Sequence, residues 1–325
     1  MKIFINTLFS ILSAAQASEL FLMGDHHDLT EDWIKDIDLN KQPVIGILSQ
    51  SLETFMQNDT RFANYTSYMM SSYVKFIEAQ GARVVPIIYG EPKNVTLDKL
   101  AHIDGVLLPG GGGDDYELGK LVFEQIKKYN DEGHFYPAWG TCLGYENLVS
   151  YTADAGQDVL GRFPLHNASV PLRFLMAPEK TRMYKWLAWS AIDLQKYDML
   201  YNNHDFGISP DAFKSDKGLA EFWDVTAMSF LPNGTAFTAS VESKKYPIFG
   251  TQFHPEKPSE EFVNLKINHT WESVQIQEHF ARYFVAMARA NPNTYGNFEE
   301  VQKHEISNYD RIQTGEHMAD VYVFH

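Results

Sequence analysis

The chain of 325 residues is long enough for one large or two ordinary domains, and 44% hydrophobic residues, with 14% aromatic, suffice to build a buried core. The 42 acidic residues outnumber the 27 Lys and Arg, and the net charge of -15 disfavours nucleic acids and anionic membrane surfaces as partners. The single cysteine, Cys142, excludes an internal disulfide framework and a zinc site built from several thiolates. Cys142 is therefore either an inert residue or a reactive thiol.

The first 17 residues have the pattern of a secretory signal peptide. Lys2 supplies the positive charge, an apolar stretch follows, and the small residues Ala15 and Ala17 fit cleavage after Ala17. A buried N-terminal helix is the alternative, but the next segment, residues 18–40, is polar and acidic. No other stretch reaches the roughly 18 apolar residues that a membrane span needs. Cleavage removes one Lys and no acid, so the mature charge is 26 minus 42, or -16.

Asparagine sequons support the same compartment, and we expect several of them to be glycosylated. Secreted proteins usually contain disulfides, so a lone cysteine is unusual there and favours a chemical role for Cys142. An intermolecular disulfide is the competing explanation. The six Asn-x-Ser/Thr sequons are Asn58, Asn64, Asn94, Asn167, Asn233 and Asn268.

From residue 41 to residue 325 the sequence predicts a single domain in which apolar strands alternate with helices. This alternation is typical of a mostly parallel sheet joined by right-handed crossovers. Gly81 and Gly133 stand where left-handed helix caps are expected. The predicted strands are residues 43–48, 83–89, 105–109 and 135–139, and the predicted helices run from residue 65 to about 80, over 96–103 and 117–130, and from about residue 145.

The second half of the chain is predicted to elaborate this sheet. Residues 155–246 carry short aromatic and β-branched runs, typical of added strands and loops, and a helix with an apolar stripe is predicted over residues 271–290. There is no internal repeat, low-complexity tract or linker. One elaborated domain is therefore favoured over two.

Residues 140–144 (GTCLG) place Cys142 between two glycines where a predicted strand meets a predicted helix. This is the thiol form of the nucleophile elbow, a sharp turn that needs small neighbours and lifts the nucleophile above the sheet. The dipole and free N–H groups of the following helix favour the thiolate. The pattern predicts a nucleophile, with a buried structural cysteine as the alternative.

Four consecutive glycines, residues 110–113, follow the predicted strand at 105–109. Glycines let backbone N–H groups approach a ligand closely, as an oxyanion hole requires, and the N–H of Leu143 in the elbow is the natural second donor. A phosphate-binding loop would need a following Lys and Ser/Thr, and acids stand there instead. A flexible turn is the remaining alternative.

His254 is the preferred base among the twelve histidines. It follows the apolar run at 246–249, so it should emerge at a strand end, and Glu256 stands two residues later. A carboxylate in that place holds the imidazole in one tautomer and stabilises its charged form. The spacing predicts a Cys-His-acid system.

Together, the strand followed by Pro-Gly-Gly, the elbow and the later QFHPE resemble the class I glutamine amidotransferase-like superfamily. Within it, residues 136–146 (YPAWGTCLGYE), 72–86 (SYVKFIEAQGARVVP) and 246–257 (YPIFGTQFHPEK) resemble the gamma-glutamyl hydrolase family. The likeness runs from about residue 41 to the C-terminal tail. It implies a flavodoxin-like α/β fold with a mostly parallel central sheet and helices on both faces.

The resemblance implies a cysteine hydrolase that cleaves the γ-glutamyl isopeptide bonds of poly-γ-glutamates, folylpolyglutamates above all, without a cofactor or a metal ion. It implies a lysosomal, vacuolar or secreted location. Cys142 would be the nucleophile, His254 the acid and base, and Glu256 the third member, whose need is the least certain in this family. The N–H groups of Gly111 and Leu143 would bind the oxyanion.

The resemblance also implies three substrate-binding residues. Glu146 would face the α-amino and α-carboxyl groups of the substrate, His204 matches a family histidine near the substrate, and Tyr68 is a further candidate on the first helix. The glycine-rich loop and the neighbours of His204, Asn203 and Asp205, depart from the family pattern. These departures leave the specificity more open than the chemistry.

Two alternatives remain. An amidotransferase that passes ammonia to a synthase is disfavoured by the signal peptide and by the lack of a fused synthase domain, and a catalytically silent glycoprotein would not need Cys142, His254 and Glu256. The sequence leaves open the cleavage pattern, the preferred chain length, the pH optimum and a homodimer. An overall charge near -16 repels a polyanionic substrate, so salt should improve affinity unless the cleft is locally positive.

Overall fold

The computed structural model describes residues 40, 42–263, 266–315 and 318–325. The predicted signal peptide, residues 1–17, and the segment 18–40 lie outside the described residues, apart from Asn40. In the part of the chain that the structure describes, no helix combines the length and the apolar character needed to cross a bilayer.

Fourteen strands and eleven α-helices are formed by the described residues. The strands are β1 (Val44–Leu48), β2 (Gln50–Ser51), β3 (Ser67–Met70), β4 (Arg83–Ile87), β5 (Gly105–Leu108), β6 (Ala138–Thr141), β7 (Gly161–Val170), β8 (Arg173–Phe174), β9 (Leu200–Gly207), β10 (Trp223–Phe230), β11 (Ala236–Ser243), β12 (Ile248–Thr251), β13 (Arg311–Gln313) and β14 (Asp320–Phe324). The helices are α1 (Thr54–Gln57), α2 (Ser71–Glu78), α3 (Lys93–His102), α4 (Tyr116–Asp131), α5 (Leu143–Thr152), α6 (Ala191–Lys196), α7 (Ala212–Ser215), α8 (Lys217–Phe222), α9 (Lys257–Glu260), α10 (Trp271–Ala288) and α11 (Phe298–His304).

The central sheet has eight strands in the order β4-β1-β5-β6-β12-β11-β10-β8. The first five strands are parallel, and β11, β10 and β8 extend the sheet with antiparallel pairing. Parallel strands need crossover connections, which the intervening helices supply. The predicted mostly parallel α/β sheet is confirmed, and the carboxyl ends of β5, β6 and β12 lie side by side.

Both faces of this sheet are buried. Ile45 and Ile47 of β1 pack in a cluster with α2 and α10, whereas Val44 and Leu48 pack in a second cluster with α3, α4 and α5. Side chains alternate between the faces of a strand, so a strand covered on both sides must be apolar throughout. This explains the continuous apolar runs in the sequence.

Two smaller sheets lie outside the central one. One has the order β13-β14-β3-β2, and the other is the antiparallel pair β7-β9, in which Leu165 lies opposite His204. Strand β2 begins two residues after the end of β1. These additions place further side chains at the carboxyl edge of the parallel strands.

The helix predicted from residue 65 is wrong in its first turn. Residues Ser67–Met70 form β3, which pairs with β14 on one side and β2 on the other, and α2 begins only at Ser71. The partner strand comes from the far end of the chain, so local spacing carries no trace of it. The predicted caps are present, since Gly81 and Gly133 have φ of 77° and 89°.

The buried carboxyl group of Asp104 joins the start of β1 to the start of β5 and should make the stability of the fold depend on pH. Asp104 is fully buried, its carboxyl oxygen accepts a hydrogen bond from the Val44 N–H at 2.7 Å, and burial raises its pKa to about 8. The unfolded chain loses this proton near pH 4. Between pH 4 and 8, Asp104 should therefore lower the free energy of unfolding by about 1.4 kcal/mol per pH unit.

Asp104→Asn keeps an oxygen acceptor for Val44 and removes the titration. Relative to the wild type, this variant should gain stability as the pH rises from 5 to 8. Urea denaturation at pH 5, 6.5 and 8 measures the difference. A difference that does not change with pH would show that Asp104 is not protonated in the folded protein.

Candidate active site

The carboxyl ends of the central parallel strands meet at a cleft of about 690 Å³. The glycine loop follows β5, Cys142 follows β6 and His254 lies three residues beyond β12. Ligand sites of open α/β sheets lie at this edge. The lining residues include Glu53, Gly111, Gly112, Gly113, Cys142, Leu143, Glu146, His166, Asp205, His204, His254 and Lys257.

Cys142 occupies a sharp turn between β6 and α5. Its φ of 51° and ψ of -112° are rare for a residue with a side chain, and such strain occurs at functional sites. The Cys142 N–H donates to the Thr251 carbonyl at 2.7 Å, and the Gly144 N–H donates to the Pro109 carbonyl at 3.1 Å. The elbow is thus fastened to the ends of both neighbouring strands.

The two glycines that flank the elbow, Gly140 and Gly144, are required by close backbone packing. A Cβ atom on Gly144 would lie 2.1 Å from the carbonyl oxygen of Leu108, which is backbone and cannot yield easily. One on Gly140 would lie 2.7 Å from the carbonyl oxygen of Gly144. The small residues of the motif therefore let strand, turn and helix pack in one place.

Cys142 is 5% exposed, and its surroundings hold it as a neutral thiol. Burial raises the pKa of Cys142 well above its usual value and the charge of Glu146 adds to this, while the Leu143 N–H opposes it. The helix terminus alone was expected to favour the thiolate. The Leu143 N–H at this terminus does favour the thiolate, but desolvation outweighs its effect in the resting site. A base is therefore needed to generate the nucleophile.

His254 and Glu256 form a buried pair beside Cys142. The Nδ1 atom of His254 lies 2.8 Å from Oε1 of Glu256. Burial would raise the pKa of Glu256, but the charge and hydrogen bond of His254 outweigh it and the pKa is lowered. When His254 is neutral, an ionised Glu256 holds the ring proton on Nδ1 and leaves Nε2 as an acceptor. The acid is thus placed to orient a base.

Gly110 lies between the nucleophile and the base. A Cβ atom on Gly110 would be 2.9 Å from Cβ of Cys142 and 2.8 Å from both Cε1 of His254 and the hydroxyl oxygen of Tyr73. The Gly110 N–H donates to that hydroxyl oxygen at 2.8 Å. Loop, thiol and imidazole are therefore in contact around one glycine.

The next residue, Gly111, lines the cleft with a φ of 153°. A Cβ atom there would lie 2.0 Å from Oε1 of Gln50 and 2.8 Å from the Tyr68 hydroxyl, so only glycine fits. The Leu143 N–H hydrogen-bonds to the Cys142 side chain, whereas no hydrogen bond from the Gly111 N–H to a protein acceptor is present among the described residues. Both predicted oxyanion donors belong to residues that border the cleft.

The glycine run also has a packing role that the sequence did not suggest. A Cβ atom on Gly113 would lie 2.1 Å from the carbonyl oxygen of Ser51 in β2, and one on Gly112 would lie 2.7 Å from Oε2 of Glu53. The Gly112 N–H donates to Oε1 of Glu53 at 3.2 Å. The loop lies directly against β2 and the residues that follow it, which holds it in place.

Glu146 lies in the cleft one helical turn after Cys142. Its Oε1 atom accepts a hydrogen bond from Nε2 of Gln252 at 2.9 Å, and the same amide group lies 3.9 Å from Sγ of Cys142. Burial raises the pKa of Glu146 to about 7. Its carboxyl group is consequently protonated in part near neutral pH.

His204 lines the cleft from β9 and is 6% exposed. Both of its ring nitrogens are buried, beside backbone groups of Phe163 and Phe206. Burial and then the neighbouring His254 lower the pKa of His204 to about 4. The ring is neutral at ordinary pH, and it packs against Phe237 with the centroids 5.1 Å apart.

Tyr68 lies elsewhere than predicted. It is on strand β3, not on a helix, and it is 1% exposed and does not line the cleft. Its hydroxyl donates to Glu53 and lies 3.3 Å from Oε1 of Gln50. Tyr68 therefore supports the glycine loop through Glu53, which also accepts from the Gly112 N–H.

Sequence reasoning missed four residues of the site. Gln252 stands within the quoted QFHPE motif, so position alone pointed to it. Tyr73 lies in the helix predicted from residue 65 and received no role in the site. Lys257 ends the quoted segment 246–257, whereas Glu53 lies outside every quoted segment. Both line the cleft, and Lys257 is buried with its Nζ atom 3.4 Å from Glu261. Across the described residues, no cluster of three or more His, Cys, Asp and Glu side chains has an arrangement suited to a metal ion.

Comparison with known proteins identifies the family. The model of the glutamine amidotransferase class-I family matches residues 64–270. Gamma-glutamyl hydrolase 1 of Arabidopsis thaliana is 33% identical, with 89% of this chain and 84% of the relative covered, and gamma-glutamyl hydrolase B of Dictyostelium discoideum is 33% identical, with 88% and 84% covered. The gamma-glutamyl hydrolase of Homo sapiens is 31% identical, with 86% and 87% covered. The chain is therefore an enzyme of the gamma-glutamyl hydrolase family, within the class I glutamine amidotransferases.

Proposed function

We propose that this hydrolase cleaves the γ-glutamyl isopeptide bonds of poly-γ-glutamates, folylpolyglutamates in particular, through a γ-glutamyl thioester on Cys142. The observation that carries the proposal is the strained elbow thiol beside the buried His254 and Glu256 pair, in a cleft that Gly111 and Leu143 also line. Nucleophile, oriented base and oxyanion donors are the parts that acyl transfer needs.

In the first half-reaction, His254 accepts the Cys142 proton at Nε2 as the sulfur attacks the γ-carbonyl carbon. The carbonyl oxygen gains negative charge and is stabilised by the N–H groups of Gly111 and Leu143. The tetrahedral intermediate then collapses, the C–N bond breaks and His254 gives its proton to the leaving amine. The γ-glutamyl group remains on sulfur as a thioester.

In the second half-reaction, water takes the place of the departed amine. His254 removes a proton from the water as its oxygen attacks the thioester carbonyl, and the same N–H groups stabilise the second oxyanion. The C–S bond breaks and the sulfur regains its proton. Glu256 keeps His254 in the productive tautomer throughout and stabilises its charged form.

The substrate would lie against Glu146 and His204, which border the cleft near the thiol. His204 is neutral at ordinary pH and would contact the substrate through the part of its ring that lines the cleft. Glu146, with a pKa of about 7, offers a donor when protonated and an anion when ionised. Tyr68 acts in this proposal through Glu53 and the loop, without touching the substrate.

We also propose passage through the secretory pathway, to a lysosome, a vacuole or the cell exterior. Its support is the N-terminal pattern and the position of the sequons. Asn58, Asn64, Asn94 and Asn233 are exposed and accessible to glycosylation. Asn167 and Asn268 are half-buried and bonded to distant segments, since Asn167 accepts from the Lys266 N–H at 2.7 Å and Asn268 donates to the Asp198 carbonyl at 3.0 Å, whereas the Asn58 amide donates locally to the Thr54 carbonyl. We assign glycans to the four exposed sequons.

The nucleophile assignment predicts the effect of Cys142→Ala. With a pteroyl-poly-γ-glutamate substrate, the wild type should release shortened products, and the variant should lose at least about 10⁴-fold in kcat, because no other group forms the thioester. Chromatography that resolves products by chain length measures both. A variant with retained turnover would contradict the assignment, and a wild type that hydrolyses free glutamine faster would favour the amidotransferase alternative.

The orienting role of Glu256 predicts the effect of Glu256→Gln. An amide would donate to Nδ1 of His254 and favour the tautomer with a proton on Nε2, so kcat should fall by about 100-fold or more with little change in KM. Glu260→Gln, four residues later at a position that does not line the cleft, is the matched control and should retain wild-type kcat. Equal kcat values for the two variants would remove Glu256 from the mechanism.

The charge of the cleft predicts a salt dependence. Three acids, Glu53, Glu146 and Asp205, line it, while its Lys257 is already paired with Glu261. A local positive field is therefore not supported, and the net charge of -15 repels the substrate. Raising the salt from about 0.01 to 0.1 M, where the Debye length falls from about 30 to 10 Å, should lower KM for long poly-γ-glutamates more than for a γ-glutamyl dipeptide. A higher KM in salt would reveal net attraction.

A further inference from the structure

The hydroxyl group of Tyr73 contacts both halves of the proposed machinery. Tyr73 lies on α2 and is fully buried. Its oxygen accepts a hydrogen bond from the Gly110 N–H at 2.8 Å and lies 3.2 Å from Nδ1 of His254. One atom thus touches the loop that follows β5 and the imidazole that follows β12.

The proton of this hydroxyl has a defined direction. A tyrosine hydroxyl has one proton to donate, and its oxygen here already accepts from Gly110. Nδ1 of His254 donates to the ionised Glu256, so it does not accept the tyrosine proton. The proton therefore points to the Glu256 carboxylate. Burial, followed by the charges of Glu256 and Cys142, raises the pKa of Tyr73, which keeps the proton in place.

No side chain fits between these groups. A Cβ atom on Gly110 would lie within 2.9 Å of the Tyr73 hydroxyl, of His254 and of Cys142 at once. The spacing of loop, thiol and imidazole is therefore set by direct contact. Gly110 is followed by Gly111, which lines the cleft and carries a proposed oxyanion donor, so a displacement of Gly110 moves that donor.

We propose that Tyr73 is a positioning residue, whose hydroxyl holds the oxyanion loop at a fixed distance from the His254 and Glu256 pair. This inference rests on the proposed thioester mechanism and deepens it. The hydroxyl does not react with the substrate. It sets where the Gly111 N–H stands when charge develops on the carbonyl oxygen, and a displaced donor costs rate without costing affinity.

The test compares Tyr73→Phe with Tyr136→Phe. Tyr136 is also buried and its hydroxyl also makes a hydrogen bond, donating to the Leu100 carbonyl at 2.9 Å, but it precedes β6 at the edge opposite to the cleft. Tyr73→Phe should lower kcat by about 10- to 100-fold and leave KM within about twofold. Tyr136→Phe should leave both constants unchanged, whatever its effect on thermal stability.

Alkylation of Cys142 by iodoacetamide separates the loop from the thiol. This reaction needs the thiolate but forms no oxyanion, so Tyr73→Phe should change its rate by no more than about threefold. An alkylation rate that falls as far as kcat would place the hydroxyl in thiol activation and overturn the proposal. Wild-type kcat in Tyr73→Phe, or an equal loss in Tyr136→Phe, would also overturn it.

Failure of the proposed function gives a different result. In that case the wild-type protein itself would not shorten poly-γ-glutamates. The Tyr73 inference concerns the ratio of variant to wild-type turnover. An inactive wild type therefore contradicts the proposed function, whereas an active wild type with an unchanged Tyr73→Phe variant contradicts only the Tyr73 inference.

Discussion

The candidate site depends on two backbone hydrogen bonds that fasten the elbow to its neighbouring strands. Cys142 donates to Thr251 at the end of β12, and Gly144 donates to Pro109 at the end of β5. These bonds continue the parallel pairing of the sheet into a turn with strained backbone angles. The pairing of three strands in register therefore stabilises the strained turn. Base, nucleophile and oxyanion loop then inherit their relative positions from the sheet.

Burial decides the electrostatics of this edge. It keeps Cys142 neutral and His204 uncharged, and it leaves Glu146 near its titration point at neutral pH. Glu256 is the exception, because His254 outweighs the desolvation of its carboxylate. The resting charge of the site therefore lies on Glu256, while Cys142 is a neutral thiol that, in the proposed mechanism, is ionised only as it reacts. Such an arrangement directs proton transfer without an exposed thiolate.

The sequence predicted what depends on local pattern. Apolar runs and glycines at fixed spacing predicted the alternation of strands and helices along the chain, the elbow and the His-Pro-Glu segment. Residue 142 could therefore be placed at a strand end without the structure. It did not predict β3, because this strand pairs with Asp320–Phe324 at the far end of the chain. Tyr73 was missed for a related reason. An apolar helical stripe does not reveal which hydroxyl meets a loop more than thirty residues away.

The neutral state of Cys142 also bears on the survival of the enzyme. Oxidants attack the thiolate far faster than the thiol, and the sequence holds no second cysteine that would trap a sulfenic acid as an internal disulfide. A buried thiol with a raised pKa is therefore slow to oxidise in the resting protein. In the proposed mechanism the vulnerable thiolate exists only while His254 holds the proton, so chemical durability and catalysis are separated in time.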